Sequence, residues 1–558
     1  MSVQAAETLP TSKYQSYRSF DEETYDVGVA DDDGTVLYEE PYGSLLNTIV
    51  RYNDVAKLAQ YLENDARATL GHVEVYYWDP LYIAAESGSI AALDLLLKHY
   101  DAHLTDANMI PLEKRQFRLL NVSCLNARVE TALFLLDTRP VLASLHARDD
   151  SCMGRDNCET PLLSAASSFT YCPPGVEEDD LAICAKQASA EELMNQLLNR
   201  GASARDALTS LLDKKKISDT VLSLAISRAS YDLVKRLIAE GADAHARTMH
   251  QIDLFSRQSG EIVQDVTPLH LGSLHANFNG IQALFDHRDD KATVAEMVLT
   301  SDSTGRLPLH WAARGAHGPE YHYMLPQNEI DTHTVTTIKL LLTIDQDTIN
   351  ARDRKGYNAL WYAVSSFREG SDPHLNIPKT LLEYGAEGNM RDQDGLNVLH
   401  LLAFTQNGEV IDPVIIERLV ARGAKVDDID IRGNTPLNQM AMNLRQVECV
   451  RALLHYGASM RVKNLRGDTP LHQAAKGKVF SYRYEPAIEQ NGVALDAKIR
   501  AQDLMMKILE EAGDGLDLMN EKNTDGKTPR QLQEETRNKW YQEEQKRLSR
   551  TQHRRNKL

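Results

Sequence analysis

A short unit recurs along this chain and constrains its fold more than any other feature. It consists of a glycine, then Thr-Pro-Leu-His or a variant, then an alanine-rich run and a second segment rich in leucine. The plainest copies start at Gly305 (GRLPLHWAA), Gly356 (GYNALWYAV), Gly395 (GLNVLHLLA), Gly433 (GNTPLNQMA), Gly467 (GDTPLHQAA) and Gly526 (GKTPRQL). Successive glycines are 51, 39, 38, 34 and 59 residues apart, so a unit of little more than thirty residues is lengthened by insertions. Second segments close on a signature of their own, as in LIAEGADAH from Leu237, LLEYGAEGN from Leu381, LVARGAKVD from Leu419 and LLHYGASMR from Leu453. Fainter copies begin near Asp79, Arg118, Thr160, Thr220 and Thr267, which brings the count to about eleven or twelve.

Elementary helix chemistry explains the unit. Proline in the first turn costs no hydrogen bond and a threonine before it can cap, so Pro268, Pro308, Pro436 and Pro470 mark helix starts. Gly201, Gly241, Gly385, Gly423 and Gly457 follow second segments and supply the left-handed conformation that ends a helix. Alanine pairs such as Ala312 with Ala313 let a neighbouring helix approach closely. One such unit cannot bury its own apolar face, so stability must come from stacking.

These residues resemble the ankyrin repeat over roughly residues 43–526, degenerate over 43–266 and clear over 267–526. The resemblance implies an all-α solenoid of helix-turn-helix units with short β-turn fingers, whose first helices and finger tips line one concave side. It also implies binding of another protein along that side, and no chemistry. Insertions at 172–188, 315–333 and 477–497 would project from the far edge, and those at 248–266 and 286–303 would widen the turn region.

His270, His310, His400 and His472 share one slot of the unit, which elsewhere holds Tyr82, Trp361 or Asn438. One imidazole per repeat is spaced by a helix-packing distance of about 8–10 Å, which suits core hydrogen bonding better than catalysis or metal binding. The next position holds Ile83, Leu271, Trp311, Tyr362, Leu401, Gln439 and Gln473. That row reads either as packing against the adjacent finger or as an apolar groove for a partner. Finger tips add Arg354, Lys355, Asp392, Asp394, Arg432 and Arg466 as candidate contacts.

No phosphate loop, nucleophile elbow or kinase signature is present, so an enzyme would have to be assembled from the insertions. Cys152, Cys158, Cys172 and Cys184 lack the close pair a zinc site needs, so no metal and no cofactor is expected. Six cysteines in so long a chain are too sparse for a disulfide framework.

The two ends differ in charge. Residues 1–42 carry ten acids against Lys13 and Arg18 and read as a disordered acidic arm, while 527–558 read as a helical stretch followed by a basic tail with Lys546, Arg547, Arg550, Arg554, Arg555 and Lys557. That cluster can bind a nuclear import receptor, bind nucleic acid or simply keep a terminus soluble, and Ser549 beside it is a candidate phosphorylation switch. The chain as a whole carries a net charge of −19, which argues against wrapping nucleic acid. With no signal-peptide core and no apolar run of about 18 residues, cytoplasm or nucleus is the expected location and no membrane is expected as partner. Transcription coregulation is the most specific role this reading reaches, and it rests on analogy.

Overall fold

The structure is a computed structural model. It describes residues 13–19, 25–40, 44–64, 79–103, 111–112, 115, 117–146, 159–171, 180–212, 215–252, 261–287, 291–315, 327–365, 376–403, 410–479, 494–513 and 517–555. The chain divides into two compact units, residues 1–251 with 282–287, and residues 252–281 with 288–558.

In the first unit a β-hairpin, β1 (Tyr25–Ala30) and β2 (Val36–Glu39), precedes five helix pairs: α1 (Ser44–Arg51) with α2 (Val55–Asn64), α3 (Pro80–Ser87) with α4 (Ile90–Ala102), α5 (Leu119–Leu125) with α6 (Val129–Thr138), α7 (Pro161–Ser167) with α8 (Asp180–Asn199), and α9 (Val221–Ala225) with α10 (Tyr231–Ala239). The first helices pack in series, α1 on α3, α3 on α5, α5 on α7 and α7 on α9, and the second helices α2, α4, α6 and α8 form a parallel row. A second hairpin, β3 (Ala207–Leu212) and β4 (Lys215–Thr220), leads into α9, and β4 meets β5 (Thr248–Ile252) at Ser218 and Met249.

The second unit begins with β6 (Glu261–Val266) and α11 (Pro268–Leu274). After α12 (Phe278–Asp286), which straddles the division, come α13 (Lys291–Leu299), α14 (Pro308–Arg314) with α15 (Gln327–Ile344), α16 (Ala359–Ser365) with α17 (Asn376–Glu383), α18 (Val398–Ala403) with α19 (Val414–Ala421), α20 (Pro436–Met442) with α21 (Val447–His455), α22 (Pro470–Ala475) with α23 (Leu495–Ala512), and α24 (Pro529–Arg555). First helices again stack in order, α11 on α14 and onward through α16, α18, α20 and α22 to α24.

Helix ends follow the sequence chemistry. Thr160 Oγ1 and Thr435 Oγ1 accept the backbone N–H groups of Leu163 and Asn438, and Asp79 does the same for Leu81. The glycines after second helices have φ between 86° and 100°, and each is followed by an alanine whose N–H returns to a leucine carbonyl, as Ala242 does to Leu237 at 2.9 Å and Ala458 to Leu453 at 3.0 Å. The first helices are six to eight residues in most repeats, and α14 and α22 are buried over their whole length. Parts of the expected insertions are regular: α13 lies in the 286–303 insertion, α15 begins within 315–333, and β5 and β6 within 248–266.

The expectation of a disordered acidic arm over 1–42 fails for its described part. Val29 and Leu37 are fully buried, and Glu39 accepts the N–H groups of Leu45 at 2.7 Å and Leu46 at 3.0 Å and the Tyr61 hydroxyl at 2.8 Å, so a buried carboxylate caps α1. Lys57 on α2 pairs with Asp32 at 2.6 Å and Asp54 at 3.2 Å, and Arg18 pairs with Asp31 and Asp33. These acids are absorbed by specific partners, and the hairpin covers the open end of the stack.

Replacing Glu39 by Ala would strand three donors, of which a single buried one costs about 1–3 kcal/mol. Denaturant unfolding should show the first unit destabilised by at least that amount, whereas a solvated arm would give no change.

Candidate functional site

Six fingers of the second unit share one construction. An Asp or Asn stands three residues before the finger glycine: Asp302, Asp353, Asp392, Asp430, Asn464 and Asn523. Its side-chain oxygen accepts the N–H of the residue after the glycine, at 3.0, 2.9, 2.7, 2.7, 3.0 and 3.0 Å in that order. The glycine N–H returns to the carbonyl of the same Asp or Asn. The turn therefore closes on itself before it touches a neighbour.

Four of the five consecutive finger pairs are also joined through their backbones. Arg354 N–H donates to Thr304 O at 3.0 Å, Ile431 to Asp394 at 2.8 Å, Leu465 to Arg432 at 2.9 Å and Thr524 to Arg466 at 3.0 Å. Glycine is required here twice over: Gly395 and Gly467 have φ of 76° and 69°, and a Cβ on them would lie 2.8 Å from Ile429 O and 2.9 Å from Thr524 N.

Below each finger the repeated histidine does the structural work expected of it. All four rings are fully buried. Nδ1 accepts the helix-capping N–H, from Thr267 at 3.2 Å, Leu307 at 2.9 Å, Asn397 at 3.1 Å and Thr469 at 3.2 Å. That leaves the proton on Nε2, which donates to a carbonyl of the next repeat: Arg306 at 3.1 Å, Ala351 at 3.0 Å, Asn434 at 3.0 Å and Lys527 at 3.3 Å. Asn438 copies the link, donating from Nδ2 to Asp468 O at 3.1 Å, and where Trp361 fills the slot Asn358 reaches Glu387 O instead.

The row after the histidine does not face solvent. Ile83, Leu271, Trp311, Tyr362 and Leu401 are 2%, 7%, 0%, 5% and 1% exposed, so the expected apolar groove gives way to the packing alternative. A first helix of about seven residues is flanked by another on each side and by its own second helix, which leaves little room for a free apolar face. Trp311 Nε1 donates to Asp302 at 3.0 Å, and the Tyr362 hydroxyl donates to Asp353 at 2.5 Å while accepting from Arg306 Nε at 3.0 Å. Burial, reinforced by Asp353, pushes the Tyr362 phenol well above its ordinary range.

The finger tips are open. Arg354, Lys355, Asp394, Arg432 and Arg466 are exposed, and only Asp392 is spent within its turn. Ile429, Ile431 and Leu465, which the sequence reading passed over, are 49%, 62% and 75% exposed.

The tail is one helix, α24, starting from the last finger. Trp540 and Leu532 are buried, and Arg537 binds Gln502 and Asp503 of α23. Along the tail Lys527 pairs with Glu535 at 2.7 Å and Arg547 with Glu544 at 2.6 Å. Lys546 is exposed, Arg547 is half-buried, Arg550, Arg554 and Arg555 continue the helix, and Ser549 Oγ donates to Lys546 O at 2.8 Å. Lys557 lies outside the described residues, as do Cys152, Cys158, Cys172 and the side chain of Cys184. Among the described residues no three His, Cys, Asp or Glu side chains gather in a metal-binding group, and no helix is long and apolar enough to cross a membrane.

The family model described as ankyrin repeats (3 copies) matches residues 369–464 and 399–484. No curated protein matches the chain. The chain carries ankyrin repeats over residues 369–484, and its stacked helix pairs are those of an all-α repeat solenoid. Its repeats make it a scaffold for protein–protein interaction.

Burial pushes the His310, His400 and His472 imidazoles below the ordinary 6.5. Between those depressed values and 6.5 the unfolded chain binds more protons than the folded one, so stability is full above pH 6.5 and falls as pH drops below it. Melting temperature followed from pH 8 to 5 should be level and then decline, and His310→Asn together with His400→Asn should flatten the decline. Trp311→Ala should cost about 3–5 kcal/mol of stability, a loss seen in unfolding before any partner is added.

Proposed function

We propose that this protein is a non-catalytic adaptor that engages other proteins through the exposed finger tips of its second unit. The observation that carries the reading is the contrast between a buried, hydrogen-bonded row beneath the fingers and the charged tips above it. Arg354, Lys355, Asp394, Arg432 and Arg466 stand on a backbone fixed by the Asp or Asn turn and by a bond to a neighbouring finger, so side chains on several repeats keep a set spacing. A partner that matches the spacing loses little ordering entropy on the scaffold's side.

The finer role, transcription coregulation in the nucleus, is supported by the basic end of α24 around Lys546, Arg547, Arg550, Arg554 and Arg555, which an import receptor can read. The test for the adaptor reading is quantitative affinity purification of the wild-type chain beside Arg354→Glu/Lys355→Glu and Arg432→Glu/Arg466→Glu. Specific partners should drop at least tenfold with one or both variants while melting temperature stays unchanged; an identical partner set would refute tip binding. For the nuclear role, deleting residues 546–558 should lower the nuclear fraction of the protein, and an unchanged distribution would remove it.

A further inference from the structure

Four consecutive fingers differ at the two positions before the glycine in a way that marks out one place on the surface. These pairs are Gln393-Asp394, Ile431-Arg432, Leu465-Arg466 and Thr524-Asp525. The middle two repeat an apolar and a basic residue, and the outer two end in aspartate. Leu465 N–H bonds to Arg432 O, and a Cβ on Gly433 would lie 3.2 Å from Leu465 N, so the two tips are direct neighbours. Ile431 and Leu465, at 62% and 75% exposed, are joined by Ile429 at 49%.

The charges beside them are open as well. Arg391 pairs with Asp428 at 3.3 Å and Lys463 with Glu521 at 2.7 Å, but among the described residues Arg432 and Arg466 make no ion pair. The carboxylate of Asp430 is already occupied by the N–H groups of Arg432 and Asn434 and by Gln439 Nε2. Two unneutralised guanidinium groups on a chain of net charge −19 thus flank three exposed branched side chains.

Resting on the adaptor reading, we propose that this two-finger patch binds an extended segment of a partner protein in which an apolar residue and an acid recur every three positions. Neighbouring tips are about 8–10 Å apart, one helix-packing distance, and three residues of a partner segment in the extended polyproline II conformation advance about 9 Å and return the side chain to the same face. The apolar side chains would cover Ile431 and Leu465, and the carboxylates would meet Arg432 and Arg466 in bidentate pairs. Asp394 and Asp525 limit the match to two fingers by repelling an acidic segment that continues beyond them. A second copy of the same patch would set four arginines face to face. Nucleic acid would leave the aliphatic side chains unused and finds no aromatic side chain among these tip residues on which to stack a base.

The test uses the full chain and a fluorescein-labelled peptide of four Leu-Glu-Ser repeats, followed by anisotropy, with four Leu-Lys-Ser repeats and four Ser-Glu-Ser repeats as controls. Saturable binding of the Leu-Glu-Ser peptide is expected, at least tenfold tighter than either control. It should weaken at least tenfold in Ile431→Ser/Leu465→Ser and in Arg432→Glu/Arg466→Glu, with unchanged melting temperatures, and should stay intact in Arg354→Glu/Lys355→Glu. Absence of saturable binding, equal binding of a control peptide or indifference to both double variants would overturn this assignment. The adaptor reading has its own readout: partners lost in affinity purification with Arg354→Glu/Lys355→Glu would sustain it even where the peptide fails.

Discussion

Each repeat of the second unit is tied to the next through a carbonyl just after or near a finger glycine, and the rest of the architecture depends on that tie. The residue after the glycine already donates its N–H to the finger's Asp or Asn, and its carbonyl accepts from the histidine or asparagine of the preceding repeat in four cases, Arg306, Asn434, Asp468 and Lys527. Stacked apolar helices alone would tolerate sliding. A buried imidazole with one nitrogen on its own helix cap and the other on the neighbouring finger fixes the register, because a shift would strand two buried polar groups.

That arrangement separates structural from interactive residues within a single signature. Histidine, tryptophan and tyrosine, which look functional by type, are consumed below the fingers: Trp311 by Asp302, Tyr362 by Asp353 and Arg306. What remains available at the described tips of the second unit is charged, with an exposed apolar residue beside the charge in two fingers. Binding specificity is thereby carried by tip residues that can change from one finger to the next without touching the links that hold the stack.

Much of this was legible in the sequence. The repeat, the helix starts at proline, the left-handed glycines after second helices and the hydrogen-bonding histidines all follow from local chemistry within a few residues. Where reasoning from sequence fell short, the deciding partner was distant in the chain. Asp31, Asp32, Asp33 and Glu39 of the N-terminal segment look solvated until Arg18, Lys57 and the N-terminus of α1 are placed against them. Trp311 and Tyr362 occupy the position expected to face a groove, yet helices on either side close over them. The Asp or Asn three residues before each finger glycine was visible as D-x-x-G or N-x-x-G, and could have revealed the closed turn. The finger-to-finger bonds could not be read in the same way, because insertions set their partners 33 to 58 residues apart, as with Leu465 to Arg432 or Thr524 to Arg466.

Amide hydrogen exchange at the finger tips addresses the central claim most directly. Arg354, Ile431, Leu465 and Thr524 carry exposed side chains but donate their N–H groups to the preceding finger, so these four amides should exchange orders of magnitude more slowly than an unstructured chain, with protection approaching that of the neighbouring first helices. Exchange at the rate of a free turn would mean that the fingers move independently, and a surface of fixed spacing would not exist.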